Sequence, residues 1–332
     1  MKIKQPALLG LLLAGVIPLK AQQINEQEVS RIISVLAADS LQGRGTYSPG
    51  IEKASLFIES EFTKAGLIPL PGAQDFRQRF ATIGRKIYAL DSVPADQTPQ
   101  FLHNVTGMIK GSSKPDEYVI FSAHYDHIGI LKAVEEDSIA NGADDDASGV
   151  TAVILLADYF AKHPPERSVI FTAFTAEEIG GFGSRYFSKQ LDPAKIIAMF
   201  NIEMIGKESK FGRNSAFITG YERSDFGKIL QKNLDGSSFQ FHPDPYPEQR
   251  LFYRSDNATL ARLGVPAHTI STTQIDKDTL YHSVNDEIES MDMKNIADII
   301  EAIAVSAKSI VGGKDAPTRI EEEKEPRPVR AQ

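Results

Sequence analysis

Cysteine is absent from all 332 residues, which removes a disulfide framework, a thiolate metal site, a lipid-anchored N-terminal cysteine and a cysteine nucleophile. Positive charge is scarce as well: 36 Lys and Arg stand against 44 Asp and Glu, a formal charge of −8. Nucleic acid is therefore a poor partner, since phosphate binding draws on clustered basic charge. Aromatic residues make up only 8% of the chain although 42% of it is hydrophobic, ordinary values for a globular protein with a large core. Beyond the first residues there is no long apolar run. At the start, Lys2 and Lys4 precede an apolar run from Ala7 to Ile17, followed by Leu19-Lys20-Ala21. That run is too short for a bilayer-spanning helix, which needs roughly 20 residues, and it is apolar on every face, unlike an amphipathic helix. It reads as a secretory signal peptide over residues 1–21, so the expected protein is exported, periplasmic or extracellular, with no membrane span.

The body of the chain alternates two periodicities. Asn25 to Ala38 and Ile51 to Ala65 carry helical apolar spacing, as do Ser148 to Lys162 and Met293 to Val311. Tyr118 to Ala123, Ser168 to Phe174 and Ile196 to Ile202 are short β-branched and aromatic runs that read as buried strands, with further strands at Ser215 to Thr219 and Ala267 to Ile270. Alternating strands and helices predict an α/β three-layer sandwich, a mostly parallel central sheet flanked by helices, formed by one domain over residues 22–312. The stretch Phe241 to Gln249, with three prolines, reads as a loop. From Gly312 the composition turns to Lys, Glu, Pro and Arg, and residues 313–332 are expected to be a disordered tail.

Polar residues gather where the predicted strands end, the carboxyl edge at which open α/β sheets bind ligands. His124-Tyr125-Asp126 follows the first strand, Glu177-Glu178 follows the second, Glu203 closes the third, and His282 lies in Leu280-Tyr281-His282. Between the first two comes Gly142-Ala143-Asp144-Asp145-Asp146-Ala147-Ser148-Gly149, directly before an amphipathic helix. Singly, these are a hydrogen-bonded pair, a solvated helix face and a helix cap. Together they bring two imidazoles and at least three carboxylates to neighbouring strand ends, a concentration of charge that is costly without a counter-ion. Imidazole and carboxylate without thiolate suit zinc, and manganese and cobalt accept the same donors. The remaining histidines, His103, His127, His163, His242 and His268, have no companion at ligand spacing and are expected in core or surface packing.

In order, these motifs, together with Leu36-Ala37-Ala38-Asp39-Ser40-Leu41-Gln42-Gly43-Arg44-Gly45 and Tyr281-His282-Ser283-x-x-Asp286, resemble the secreted bacterial leucyl-type zinc aminopeptidases, metallopeptidase family twenty-eight, whose relatives include glutamate carboxypeptidase and glutaminyl cyclase. The resemblance runs from about Ala37 to Val311. It implies two zinc ions, Asp145 bridging them, His124 and Glu203 completing one site and Glu178 and His282 the other. It further implies Glu177 as general base, Asp126 behind the His124 ring, Tyr281 beside the oxyanion, Asp286 in support, and a cis bond between Asp145 and Asp146. The implied substrates are peptides with a free N-terminus, cleaved at the first bond. Many members of the family carry Asp where this chain has Glu203. There is also no room between Phe76 and Leu102 for the inserted domain of larger relatives. Two alternatives are a single-zinc glutaminyl cyclase, which need not keep His124 and Glu203, and a non-catalytic binding module, which would have lost ligands.

Overall fold

The computed structural model describes residues 24–321. The expected signal peptide, residues 1–21, and residues 322–332 lie outside that range. The strands are β1 (Ile68–Pro69), β2 (Arg77–Ile83), β3 (Lys86–Tyr88), β4 (Gln100–Ile109), β5 (Lys114–His124), β6 (Gly129–Val134), β7 (Asp137–Ala140), β8 (Arg167–Phe174), β9 (Ile196–Ile202), β10 (Ser215–Ile218), β11 (Gln240–Pro243) and β12 (Ala267–Ser271). The α-helices are α1 (Glu26–Leu36), α2 (Pro49–Ala65), α3 (Gly149–Lys162), α4 (Phe182–Phe187), α5 (Phe226–Asn233), α6 (Asn257–Ala261), α7 (Met293–Ser306) and α8 (Lys308–Val311).

One large sheet runs β11-β10-β12-β9-β5-β8-β4-β2-β3, with β1 paired to β4. Its centre is parallel, since β5 pairs in parallel with both β8 and β9, and β9 with β12. Side chains alternate faces along a strand, and on β5 both faces are covered. Val119, Phe121 and Ala123 share one core cluster with residues of α1, α2, α3 and α7, whereas Ile120 joins Phe187 of α4 and Leu260 of α6 in another. This is the expected three-layer sandwich. Its helices start where the sequence offers caps. Asn25 accepts from Glu28 N at 3.0 Å, Ser48 from Ile51 N at 3.4 Å and Asp292 from Asn295 N at 3.0 Å.

Three elements differ from expectation. Residues 241–243, read as the start of a loop, belong to the edge strand β11 beside β10, where prolines are tolerated because one edge needs no partner. The closing helix breaks at Ala307 into α7 and α8. Residues 313–321 are not a loose tail: the carbonyls of Gly313 and Asp315 accept from Lys114 and Arg167, Arg319 donates to the Ile196 carbonyl at 2.8 Å, and Ile320 is buried beside α6. Average composition conceals a single apolar anchor supported by hydrogen bonds. The stretch between Phe76 and Leu102 is spent on β2, β3 and the start of β4, which extend the same sheet in antiparallel fashion.

Candidate metal centre

Strands β5, β8 and β9 end side by side, and each delivers chemistry at its carboxyl end. His124 is the last residue of β5, Glu177 and Glu178 follow β8, and Glu203 follows β9. The fourth contribution is the turn leading into α3. Gly142 there has φ 58°, and a Cβ on it would sit 2.2 Å from the Asp145 carbonyl and 2.6 Å from the His127 ring, so no larger residue fits. The peptide bond between Asp145 and Asp146 is cis.

Each of the three aspartates faces a different way. Asp144 accepts from Gly206 N at 2.7 Å. Asp146 accepts from Gly149 N at 3.0 Å, Met204 N at 3.1 Å and His124 N at 3.3 Å, joining the ends of β5 and β9 to the start of α3. Asp145 turns into the centre: its Oδ1 lies 3.2 Å from His124 Nε2 and its Oδ2 lies 3.2 Å from His282 Nε2. His282 Nε2 is also 3.1 Å from Glu178 Oε2. Two donors that share a tetrahedral zinc at 2.0–2.1 Å stand about 3.4 Å apart, so these spacings match ligands on a common ion as well as they match ion pairs. His124 Nε2 and Glu203 Oε2 are buried with no aligned hydrogen-bond partner, which leaves two good metal donors uncommitted. The residues present thus fit a metal-binding role, with Asp145 common to a His124 side and a Glu178–His282 side. Glu203 lines the same cavity, of about 560 Å³, together with Asp145, Glu177, Glu178 and Tyr281.

The electrostatics carry the same demand for positive charge. Burial alone would raise the Asp145 carboxyl, but His127, His124 and His282 hold it well below the usual carboxylate range. Hydrogen bonds to Asp145 and Glu178 push His282 up to about 10. His124 is raised despite burial by Asp145 and Asp146. Burial lifts Glu203 to about 7 and Glu177 well above its ordinary value. Protons therefore gather where cations would relieve the packed acids.

Two supporting roles differ from the sequence reading. Asp126 does not orient His124 through its carboxylate. The His124 Nδ1 contact at 3.1 Å is to the Asp126 carbonyl, and the nearer carboxylate oxygen is 3.9 Å away. That carboxylate is occupied by Glu177 N at 3.0 Å, Glu178 N at 3.4 Å and Thr46 Oγ1 at 3.0 Å, so it shapes the turn that presents both glutamates. His127, expected in plain packing, belongs to the centre. Its Nδ1 lies 2.8 Å from Glu178 Oε1 and 3.6 Å from Asp145 Oδ2, and it clusters with Asp145, Glu178 and His282. A separation of 2.8 Å suits a hydrogen bond better than two ligands on one ion. His127 thus holds one oxygen of Glu178 and leaves the other facing His282. Only the adjoining His124-x-Asp126 hinted at it. Asp286 accepts from Asp144 N and Asp145 N at 3.0–3.1 Å and so fixes the backbone of the shared aspartate. The Tyr281 ring stacks on His282 with centroids 3.9 Å apart. His103, His163, His242 and His268 lie away from the cluster, His242 stacking on Phe211 and His268 bonded to Ser224.

Arg44 was also missed as a working residue, although it stands in the quoted N-terminal motif. It is 1% exposed, and its guanidinium donates to the carbonyls of Leu36, Tyr125, Asn141, Gly142 and Asp145 at 2.6–3.4 Å. One cation thereby gathers the loops that bear His124, His127 and Asp145.

A three-layer α/β sandwich with imidazoles and carboxylates converging at the carboxyl edge of its sheet defines a metal-centred hydrolase architecture. Residues 104–307 match Peptidase family M28, and the chain belongs to that family. Among curated proteins it is similar to a probable zinc metalloprotease of Pyrenophora teres f. teres, 36% identical over 110 residues that make up 32% of this chain and 23% of that protein. A second protein of that name from the same fungus is 27% identical over 186 residues, 55% of this chain and 37% of that protein. The chain thus spans well under half the length of these relatives. Among solved structures, a zinc aminopeptidase of Bacillus subtilis superposes with a TM-score of 0.67 at 14% identity, covering 91% of this chain and 99% of that one. An aminopeptidase from Aneurinibacillus sp. strain AM-1 gives 0.62 at 17% identity, covering 92% and 97%. A glutaminyl cyclase of Bacteroides thetaiotaomicron bound to N-acetylhistamine gives 0.62 at 15%, covering 86% and 98%. At these identities the likeness is one of fold. No helix among the described residues is long and apolar enough to cross a membrane.

Proposed function

We propose that the chain is an exported two-zinc aminopeptidase that hydrolyses the N-terminal bond of peptides. The observation that carries this reading is the division of Asp145, whose two oxygens face two different imidazoles at 3.2 Å each. His124 and Glu203 would hold one ion, Glu178 and His282 the other, and Asp145 both. When bound, zinc supplies Lewis acidity toward a water and a peptide carbonyl. The chain supplies the rest. Glu177 borders the cavity and forms no salt bridge among the described residues, and burial raises its affinity for a proton, which suits a carboxylate that takes a proton from attacking water and returns it to the leaving amine. The acids around the cavity attract an ammonium group, which would explain selection of a chain end. Met204, Phe217, Leu251 and Ile275 give one wall of the cavity an apolar surface for the first side chain.

Peptides with a free N-terminus should be cleaved and their N-acetylated counterparts left intact in a fluorogenic assay; equal cleavage of both would reject the aminopeptidase reading. Removal of metal by chelation should abolish hydrolysis, and titration back should need two zinc ions per chain by emission spectroscopy. Full activity at one ion per chain would reject the two-metal centre.

For His127 the expectation is a loss of metal affinity of about 10–100-fold in His127→Ala, as for other residues that orient a ligand. His127→Asn places an amide near the position of Nδ1 and should recover much of it. Chelator competition measures both, and unchanged affinity in the alanine variant would remove the orienting role.

A further inference from the structure

A groove of about 750 Å³ leads away from Glu177 and Glu178, on the side of Gly180 and Gly181, and it joins the metal cavity at Glu177, Glu178, Arg254 and Ser255. Three arginines line it: Arg185, Arg254 and Arg262. Elsewhere in the chain Arg31, Arg77, Arg79, Arg167 and Arg213 each pair with a carboxylate. These three form no salt bridge among the described residues. Arg254 makes only long contacts to Gln249, at 3.4 and 3.5 Å. Two are steadied on rings instead: Arg262 lies 4.8 Å from the Tyr253 centroid and Arg185 lies 5.9 Å from that of Phe182. Held on aromatic faces, a guanidinium keeps its donors pointed outward at low entropic cost. The acids of the groove sit at its head, where Glu177 and Glu178 stand, and at its buried base, where Asp256 is 2% exposed.

The path a peptide would take therefore leads from acids and proposed cations at the reacting end to guanidiniums without salt-bridge partners beyond it. We propose that this groove binds the leaving-group side of the substrate and that its arginines recognise a carboxylate there, so that short peptides with a free C-terminus, or peptides acidic just after the cleaved bond, are the preferred class. The inference rests on the aminopeptidase reading. A dipeptide spans at most about 7 Å when extended, so its two termini fall on opposite sides of the reacting centre, and guanidinium forks suit carboxylates through paired hydrogen bonds.

The test compares kcat/KM for Leu-Gly with Leu-Gly-amide, and for Leu-Asp-amide with Leu-Asn-amide, in the zinc-loaded protein at low and high salt. The first pair reports a terminal carboxylate and the second an acidic side chain. At least one ratio should exceed about tenfold, fall as salt screens the contact, and drop toward unity in the combined Arg185→Gln, Arg254→Gln, Arg262→Gln variant. Ratios near one in the unmodified protein would overturn the proposal, as would a high ratio that persists in the variant. Failure to cleave any of the four peptides, by contrast, would remove the aminopeptidase reading itself.

Discussion

If the proposed two-zinc mechanism holds, Glu177→Gln should keep its metal content and lose about 10²–10⁴-fold in kcat, the range that removal of a general base produces. The substitution preserves shape and the backbone bond from Glu177 N to Asp126, so the turn that presents Glu178 is undisturbed. What disappears is the ability to accept a proton. Steady-state kinetics beside metal analysis separates this result from a loss of ligands: turnover near that of the unmodified protein would deny Glu177 its role, and a fall in metal content would move it into the ligand set.

Arg44→Ala should be the most destabilising single change outside the hydrophobic core. It would strip a buried cation from five carbonyls drawn from the α1 end, the turn after β5 and the loop before α3. Each unpaired buried acceptor costs about 1–3 kcal/mol; with partial relaxation, a total loss of about 4 kcal/mol is expected, at the diagnostic end for point changes. Arg44→Lys should recover little, because one ammonium cannot reproduce a planar fork that serves five acceptors. Denaturant unfolding at neutral pH gives the number, and a loss below about 1 kcal/mol for the alanine variant would mean that water replaces the guanidinium at little cost.

Much of this architecture could be read from the chain because its central strands are buried on both faces. Tyr118 to Ala123, Ser168 to Phe174 and Ile196 to Ile202 are mostly apolar runs for that reason, and the residues that follow each run had to lie at the sheet edge. Asp145, His282, Glu178 and His124 stand out through order and residue type, and the structure sets Asp145 3.2 Å from both His124 and His282, with Glu178 3.1 Å from His282. The antiparallel half of the sheet was not, since β2 and β3 are half exposed and carry charges such as Arg77, Arg79 and Lys86 among their apolar residues. His127 escaped because its partner, Glu178, is far away in sequence and no periodicity links them. Arg44 escaped for a related reason: all its acceptors are main-chain carbonyls, which have no side-chain signature. For Asp126 the neighbourhood is legible but not the accepting oxygen, since sequence cannot tell a carbonyl contact from a carboxylate one.

The segment from Gly313 to Ile320 fastens to the beginnings of β5, β8 and β9, through Lys114, Arg167 and Ile196. Those are the ends opposite the edge that carries the candidate metal centre, roughly 20 Å away at the rise of a strand. Any label, surface linker or fusion partner joined just past residue 321 would accordingly start from the rear of the molecule, away from the candidate metal centre.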